Sequence, residues 1–158
     1  INLYGTRHIC EAVVPLMLQR GHGKLVLAGS LGGVVPVFGY TAYGTSKFAV
    51  LGFAQCLRYE LKPRGIDALC FCPGEVATPG LAAEREATHP ATRAMKLIGG
   101  TLPPEQAIDG LLQGIRRNRF MIVPGWKNRL THWALRLTPL PLWQAITDGI
   151  VAHALRRP

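Results

Sequence analysis

The chain has 158 residues, a formal net charge of +9, and 48% hydrophobic against 17% charged residues. That length is about one domain with a core of its own, and that balance excludes a disordered chain. The longest uncharged stretch, residues 25 to 46, is interrupted by glycines and a proline and excludes a membrane-spanning helix there. Ile9, Ala12, Val13, Leu16 and Met17 recur at helical spacing, with Arg7, Glu11 and Gln19 on other faces. Residues 1 to 20 therefore read as an amphipathic helix that Gly21 ends, with Pro15 removing one hydrogen bond inside it. "KLVLAGS" (24 to 30) is a short apolar run ending in small residues, which predicts a strand buried on both faces. A glycine-rich loop follows, and then residues 43 to 62 read as a long helix closed by Pro63 and Gly65. From Phe48 to Leu57 its one polar side chain is Gln55, so it is expected to be covered on two sides, with Leu51 as an outward position. "IDALCFC" (66 to 72) is a second apolar strand, followed by the turn "PGEVATPG". Residues 81 to 100 are polar, small and irregular; residues 103 to 117 form a helix and 119 to 125 a short third strand. Helices alternating with apolar strands predict a parallel sheet with helices on both faces.

Cys10, Cys56, Cys70 and Cys72 have neither a C-x-x-C pair nor a zinc spacing and read as buried, reduced thiols of a cytoplasmic protein. His8, His22, His89, His132 and His153 have no ligand spacing and read as surface residues, so no metal is expected.

Tyr43 stands four positions ahead of Lys47 in "TAYGTSK". That spacing puts both side chains on one helix face, one turn apart. A phenol has a pKa of about 10, and bringing it near 7 takes about 4 kcal/mol of preference for the phenolate. An ammonium at about 4 Å supplies about 4 kcal/mol at the effective dielectric near a protein surface, against about 1 in bulk water. Such a pair makes a usable proton donor and acceptor in a cleft, and not on an open surface. Ser30 ends a strand thirteen residues earlier, at the carboxyl edge where open α/β sheets bind their ligands, and Pro73-Gly74 ends the next strand at that same edge. Taken singly, each has a plainer reading: Ser30 a strand-end hydroxyl, Asn2 a helix cap, Thr78 before Pro79 turn chemistry. "AGSLG" (28 to 32) approximates the elbow of an α/β-hydrolase, but that elbow needs a helix directly after the serine, and "LGGVVPVFG" cannot make one.

Together, Asn2-x-x-Gly5, the strand ending in Ser30, Tyr43-x-x-x-Lys47 and Pro73-Gly-x-Val-x-Thr78 resemble the short-chain dehydrogenases/reductases, over residues 1 to about 125. The resemblance implies the C-terminal part of a Rossmann-type, doubly wound parallel sheet and an oxidoreductase interconverting a carbonyl and an alcohol with NADP or NAD, NADP being favoured. It implies that Tyr43 exchanges a proton with the substrate oxygen, that Ser30 hydrogen-bonds that oxygen, and that Lys47 favours the tyrosinate and holds the nicotinamide ribose. Asn2 would hold a water linking Lys47 to solvent, and Pro73, Gly74, Val76 and Thr78 would line the nicotinamide. No glycine-rich pyrophosphate turn between a strand and a helix occurs here. The expectation is thus a segment of a longer reductase; a catalytically inactive interaction module on the same fold is the alternative. "TPG" (78 to 80) followed by "PPEQA" (103 to 107) is similar to the 3-ketodihydrosphingosine reductase-like, lipid-active branch, which implies an apolar carbonyl substrate. Dimerisation through helices 1 to 20 and 43 to 62 is also implied.

The charge is uneven. Residues 1 to 115 carry ten Lys/Arg against eight Asp/Glu, a balance of +2, and residues 116 to 158 carry eight against one, a balance of +7. Trp126, Trp133 and Trp143 all lie in that basic tail, residues 126 to 158. Trp126, Leu130, Trp133, Ala134 and Leu137 form one helical stripe; Leu142, Ile146, Ile150, Val151 and Leu155 form a second. They read as helices packed on the body or as an element lying on an anionic membrane surface. No nucleic-acid-binding motif accompanies the charge, so nucleic acid is not expected as a partner.

Overall fold

A computed structural model describes residues 1–156. Helix α1 spans Asn2–Arg20 and ends where Gly21 turns left-handed at φ 73°, its N–H bonded to the Leu18 carbonyl. Strand β1 follows at Gly23–Ala28, a short 3-10 turn at Leu31–Gly33, and helix α2 at Thr41–Leu61. Strand β2 is Ile66–Phe71, β3 is Glu75–Val76, α3 is Pro79–Ala87 and α4 is Pro90–Lys96. Then come β4 at Thr101–Leu102, α5 at Pro104–Arg116, β5 at Met121–Ile122, α6 at Trp126–Leu137 and α7 at Leu140–Leu155. β1, β2 and β5 form a parallel sheet in that order, with Leu25 opposite Ala68 and Leu27 opposite Cys70. β3 and β4 form a second, two-stranded parallel sheet.

The core lies on one face of the larger sheet. Leu25, Leu27 and Cys70 meet Cys10 of α1 and Val50 and Ala54 of α2 there, all buried. Each aliphatic side chain so buried contributes about 1.5–3 kcal/mol. On the opposite face Gly114 of α5 lies against the Ile122 side chain, and the Lys24 ammonium donates to the Ile115 carbonyl at 3.1 Å. Helices thus cover both faces of the parallel sheet. The turn after α2 touches the turn after α1: Gly65 sits at φ 78°, and a Cβ there would stand 2.4 Å from the Gly21 carbonyl oxygen. Only glycine fits that contact.

Several expectations are corrected. β1 is not buried on both faces: Leu25 and Leu27 are, while Lys24, Val26 and Ala28 are exposed, because α5 lies over β5 rather than over β1. In α1 the inward side chains are Leu3, Cys10, Val13 and Val14, while Ile9 and Leu16 face outward. Leu51 packs against the core and is no outward position; the large apolar side chains exposed on α2 are Tyr43, Phe48 and Tyr59. Cys56 is exposed, and His132 is buried. Residues 81 to 100 are mostly the helices α3 and α4, each started by a proline after a capping side chain. The first tail stripe faces outward apart from Ala134, because α6 turns Asn128, Thr131 and His132 inward instead. The second stripe divides: Ile150 and Val151 are half-buried, while Leu142, Ile146 and Leu155 are exposed.

Candidate active site

The carboxyl ends of β1 and β2 open onto one cavity of about 740 Å³. Ser30 leaves β1 in extended backbone, and its Oγ accepts from the Gly32 amide at 3.1 Å, which caps the 3-10 turn. Tyr43 stands in the first turn of α2, 40% exposed. Ser30 and Tyr43 flank Gly32: a Cβ on that glycine would lie 3.5 Å from the Ser30 Oγ and 3.5 Å from the Tyr43 ring. Lys47 is one turn further on, its ammonium 5.8 Å from the centroid of the Tyr43 ring and donating to the Ala28 carbonyl at 2.9 Å. The Pro73 carbonyl accepts from the Leu31 amide at 2.8 Å, tying the turn after β2 to the turn after β1. Thr78 caps α3, its Oγ1 accepting from the Leu81 amide at 3.3 Å.

Of the residues singled out from the sequence, Ser30, Tyr43, Gly74, Val76 and Thr78 line this cavity, and Asn2, Lys47 and Pro73 do not. Asn2 opens α1, and its Nδ2 donates to the Ser46 Oγ at 3.0 Å, next to Lys47 in the chain.

The cavity lining also holds residues that sequence reading passed over. The Lys96 ammonium pairs with Glu75 at 2.7 Å and Glu84 at 2.8 Å, and donates to the Tyr40 hydroxyl at 2.8 Å. Tyr40 in turn donates to Glu84, and Arg85 pairs with Glu75 at 2.7 Å. The Glu75 and Lys96 side chains are each only 12% exposed. Burial alone would raise the Glu75 carboxyl, but hydrogen bonds from Lys96 and Arg85 outweigh it and hold the group below the usual range. The Lys96 hydrogen bond lowers Glu84 likewise. Burial disfavours the charge on Lys96, yet the hydrogen bonds to Glu75, Glu84 and Tyr40 hold it above the ordinary lysine value. Burial and the bond to Glu84 push the Tyr40 phenol up.

This network carries a test of stability. Lys96→Met removes one of the two cations on the nearly buried Glu75, leaving Arg85, for which we expect a loss of about 1–3 kcal/mol near neutral pH, discounted for the half-exposed Glu84. The carboxyls have folded values below their unfolded 4.5, so their contribution is present above 4.5 and lost as pH falls through the lowered values. Lys96, shifted upward, keeps its contribution below 10.5 and loses it at higher pH. Urea unfolding of both proteins should therefore show a gap that is widest near neutrality and closes in acid; a gap independent of pH would show that the ion pairs are not its source.

Asn128 of α6 is fully buried, and its Nδ2 donates to the Pro124 carbonyl at 3.0 Å. Among the described residues its Oδ1 has no partner, and it is wedged against Gly74 and Gly99, where a Cβ on either would come within 2.5 or 2.7 Å of it. Asn128 and Thr131 line the cavity, so α6 closes it with a polar face. The buried His132 next to them is pushed below the usual histidine value by burial and by the charge of Arg136.

A family model described as short chain dehydrogenase matches residues 1–89, more than half of the chain. Among curated proteins, the chain is 35% identical over 106 residues to the "3-dehydrosphinganine reductase" of Danio rerio, covering 67% of this chain and 32% of that protein. It is 32% identical over 120 residues to the "3-ketodihydrosphingosine reductase" of Bos taurus, covering 76% of this chain and 36% of that protein. Of solved structures, the short-chain dehydrogenase from Sphingobium yanoikuyae in complex with NADPH superposes with a TM-score of 0.66 at 25% identity, over 99% of this chain and 54% of that one. The chain spans about a third of the length of these curated relatives. The matched segment contains Ser30, Tyr43, Lys47 and the turn from Pro73 to Thr78, and the chain belongs to the short chain dehydrogenase family.

Proposed function

We propose that the intact protein carrying this chain interconverts a ketone and an alcohol on an apolar, lipid-like substrate, with NADP or NAD as hydride carrier. The observation that carries this reading is the meeting of Ser30 and Tyr43 on one cavity wall, with Lys47 one helical turn away. An amide-bearing ring fits that cavity by its volume of about 740 Å³ and by Gly74 and the small polar side chain of Thr78 in its wall. The names of the sphingoid reductases support the apolar substrate, and the NADPH bound by the Sphingobium yanoikuyae relative supports NADP.

When bound, the reduced nicotinamide supplies the hydride. Gly74, Val76 and Thr78 would line its ring, Pro73 holding their turn in place, and Lys47 would hold the ribose. The Tyr43 hydroxyl gives its proton to the carbonyl oxygen as negative charge develops there, and Ser30 hydrogen-bonds the same oxygen. Asn2, held by Ser46, keeps a water between Lys47 and solvent. The experiment is consumption of reduced nicotinamide by the intact protein on long-chain ketones. No turnover on any ketone would favour an inactive module on the same fold, and turnover that survives loss of the Tyr43 hydroxyl would overturn the role given to that residue.

Association through α1 and α2 belongs to the same reading. Ile9 and Leu16 on α1, and Phe48 and Tyr59 on α2, are large apolar side chains left exposed. Phe48→Glu should shift the intact protein from dimer to monomer on sizing without lowering its melting temperature. An unchanged elution volume would count against this interface.

A further inference from the structure

Helix α6 is built the wrong way round for an ordinary surface helix, whose apolar stripe faces the core. Its buried side chains are the polar Asn128, Thr131 and His132. Trp126, Leu130, Trp133 and Leu137 follow one another at spacings of four, three and four, so they share one face, and they are 65%, 61%, 55% and 77% exposed. Lys127, Arg129 and Arg136 flank this stripe and are also exposed, the Lys127 ammonium lying 5.7 Å from the Trp126 ring centroid. α7 packs against α4 and leaves Leu142 and Ile146 in the open. Leu97 and Ile98, just ahead of the glycine that touches Asn128, are exposed as well.

We propose that the outer stripe of α6, with α7 beside it, docks on an anionic lipid surface. Charge selects this occupant. The exposed Lys127, Arg129 and Arg136 flank the stripe with no acidic side chain on α6, so a symmetric contact between two copies would set these charges against themselves. Tryptophan with flanking basic residues suits the boundary between headgroups and acyl chains, where apolar burial and attraction to anionic lipid act together. The helices lie on the surface and do not cross it. Among the described residues no helix is long and apolar enough to span a bilayer, and the 16 residues of α7 reach about 24 Å against a hydrocarbon core of about 30 Å. Because Asn128 and Thr131 line the cavity from the inner face of α6, the docked helix separates the cavity from lipid by its own thickness. This inference does not depend on the reductase reading, since its test reads binding and not turnover.

The test is sedimentation of the intact protein with vesicles of phosphatidylcholine alone and of phosphatidylcholine mixed with phosphatidylglycerol. We expect binding to the mixed vesicles at low salt, at least tenfold weaker binding at about 0.5 M salt, and a blue shift of tryptophan emission on binding. Trp126→Ser with Trp133→Ser, and separately Lys127→Gln with Arg129→Gln and Arg136→Gln, should each weaken binding about tenfold or more while the melting temperature holds. Should the serine variant fail to fold, the glutamine variant decides alone. The proposal is overturned by absence of binding to mixed vesicles at low salt, or by full binding of the glutamine variant. It is equally overturned if the serine variant turns a dimer into a monomer and still binds lipid, which would assign the stripe to a second copy.

Discussion

Replacing Tyr43 by phenylalanine should lower turnover of the intact protein about 100-fold or more, about 2.7 kcal/mol of barrier, with little change in cofactor affinity. The ring that packs edge-on against Tyr40, with centroids 5.2 Å apart, remains; only the transferable proton goes. A structural role for the hydroxyl would instead show as a lower melting temperature, and none is expected, because among the described residues the hydrogen bonds near it use the Tyr40 hydroxyl and the Tyr43 carbonyl and not the Tyr43 hydroxyl. The two readouts therefore separate chemistry from packing. A Tyr43→Phe enzyme that kept half its activity would sink the assignment of the pair.

The second large effect is expected at Gly33. A Cβ there would stand 2.6 Å from the backbone carbon and oxygen of Lys47, and backbone cannot rotate aside as a side-chain tip can. Gly33→Ala must push the first half of α2 away from the turn that follows Ser30. We expect a stability loss of about 3 kcal/mol, at the upper end of what an added methyl in a packed site costs, together with loss of turnover. Gly32→Ala is the matched control, since its methyl would meet neighbours at 3.5 Å or beyond, ordinary contact distance. If both variants melt alike, the close approach of turn and helix is not what holds Ser30 and Tyr43 together.

The parts of this arrangement that the sequence made readable are those with local signals. β1, β2 and α2 stand where apolar runs meet glycine and proline, and Ser30, Tyr43 and the turn from Pro73 stand where strand ends and helical spacing put them. The Tyr40–Glu84–Lys96–Glu75 network had no such signal, because its members are brought together from across more than fifty residues by tertiary packing. Helices α3 and α4 did leave one: Thr78 before Pro79 and His89 before Pro90 are a capping side chain followed by proline in the first helical turn. Periodicity found the α6 stripe but could not tell which way it faced. The counter-stripe of Asn128, Thr131 and His132 held that information, and reading it required knowing that a cavity lay beneath. For β1 both sets of alternate residues are apolar apart from Lys24, so nothing local distinguished its covered face from its open one.

The single bond from the Leu31 amide to the Pro73 carbonyl divides the cavity into two kinds of wall. On the sheet side the turns after the strands are joined by backbone, and α2 is held to them by the close approach of Gly33 to Lys47 and the bond from the Lys47 ammonium to the Ala28 carbonyl, so a change at one is transmitted to all. On the other side α3 and α4 are short and are held to Glu75 and Tyr40 through the side chains of Lys96, Glu84 and Arg85. Such a wall can be rebuilt residue by residue, apart from Thr92, Met95 and Lys96, which bond to Phe38 and Tyr40 of the first. Altering which molecules the cavity admits is thus a matter of rewriting residues 79 to 98, while residues 28 to 48 are the frame against which any rewriting has to work.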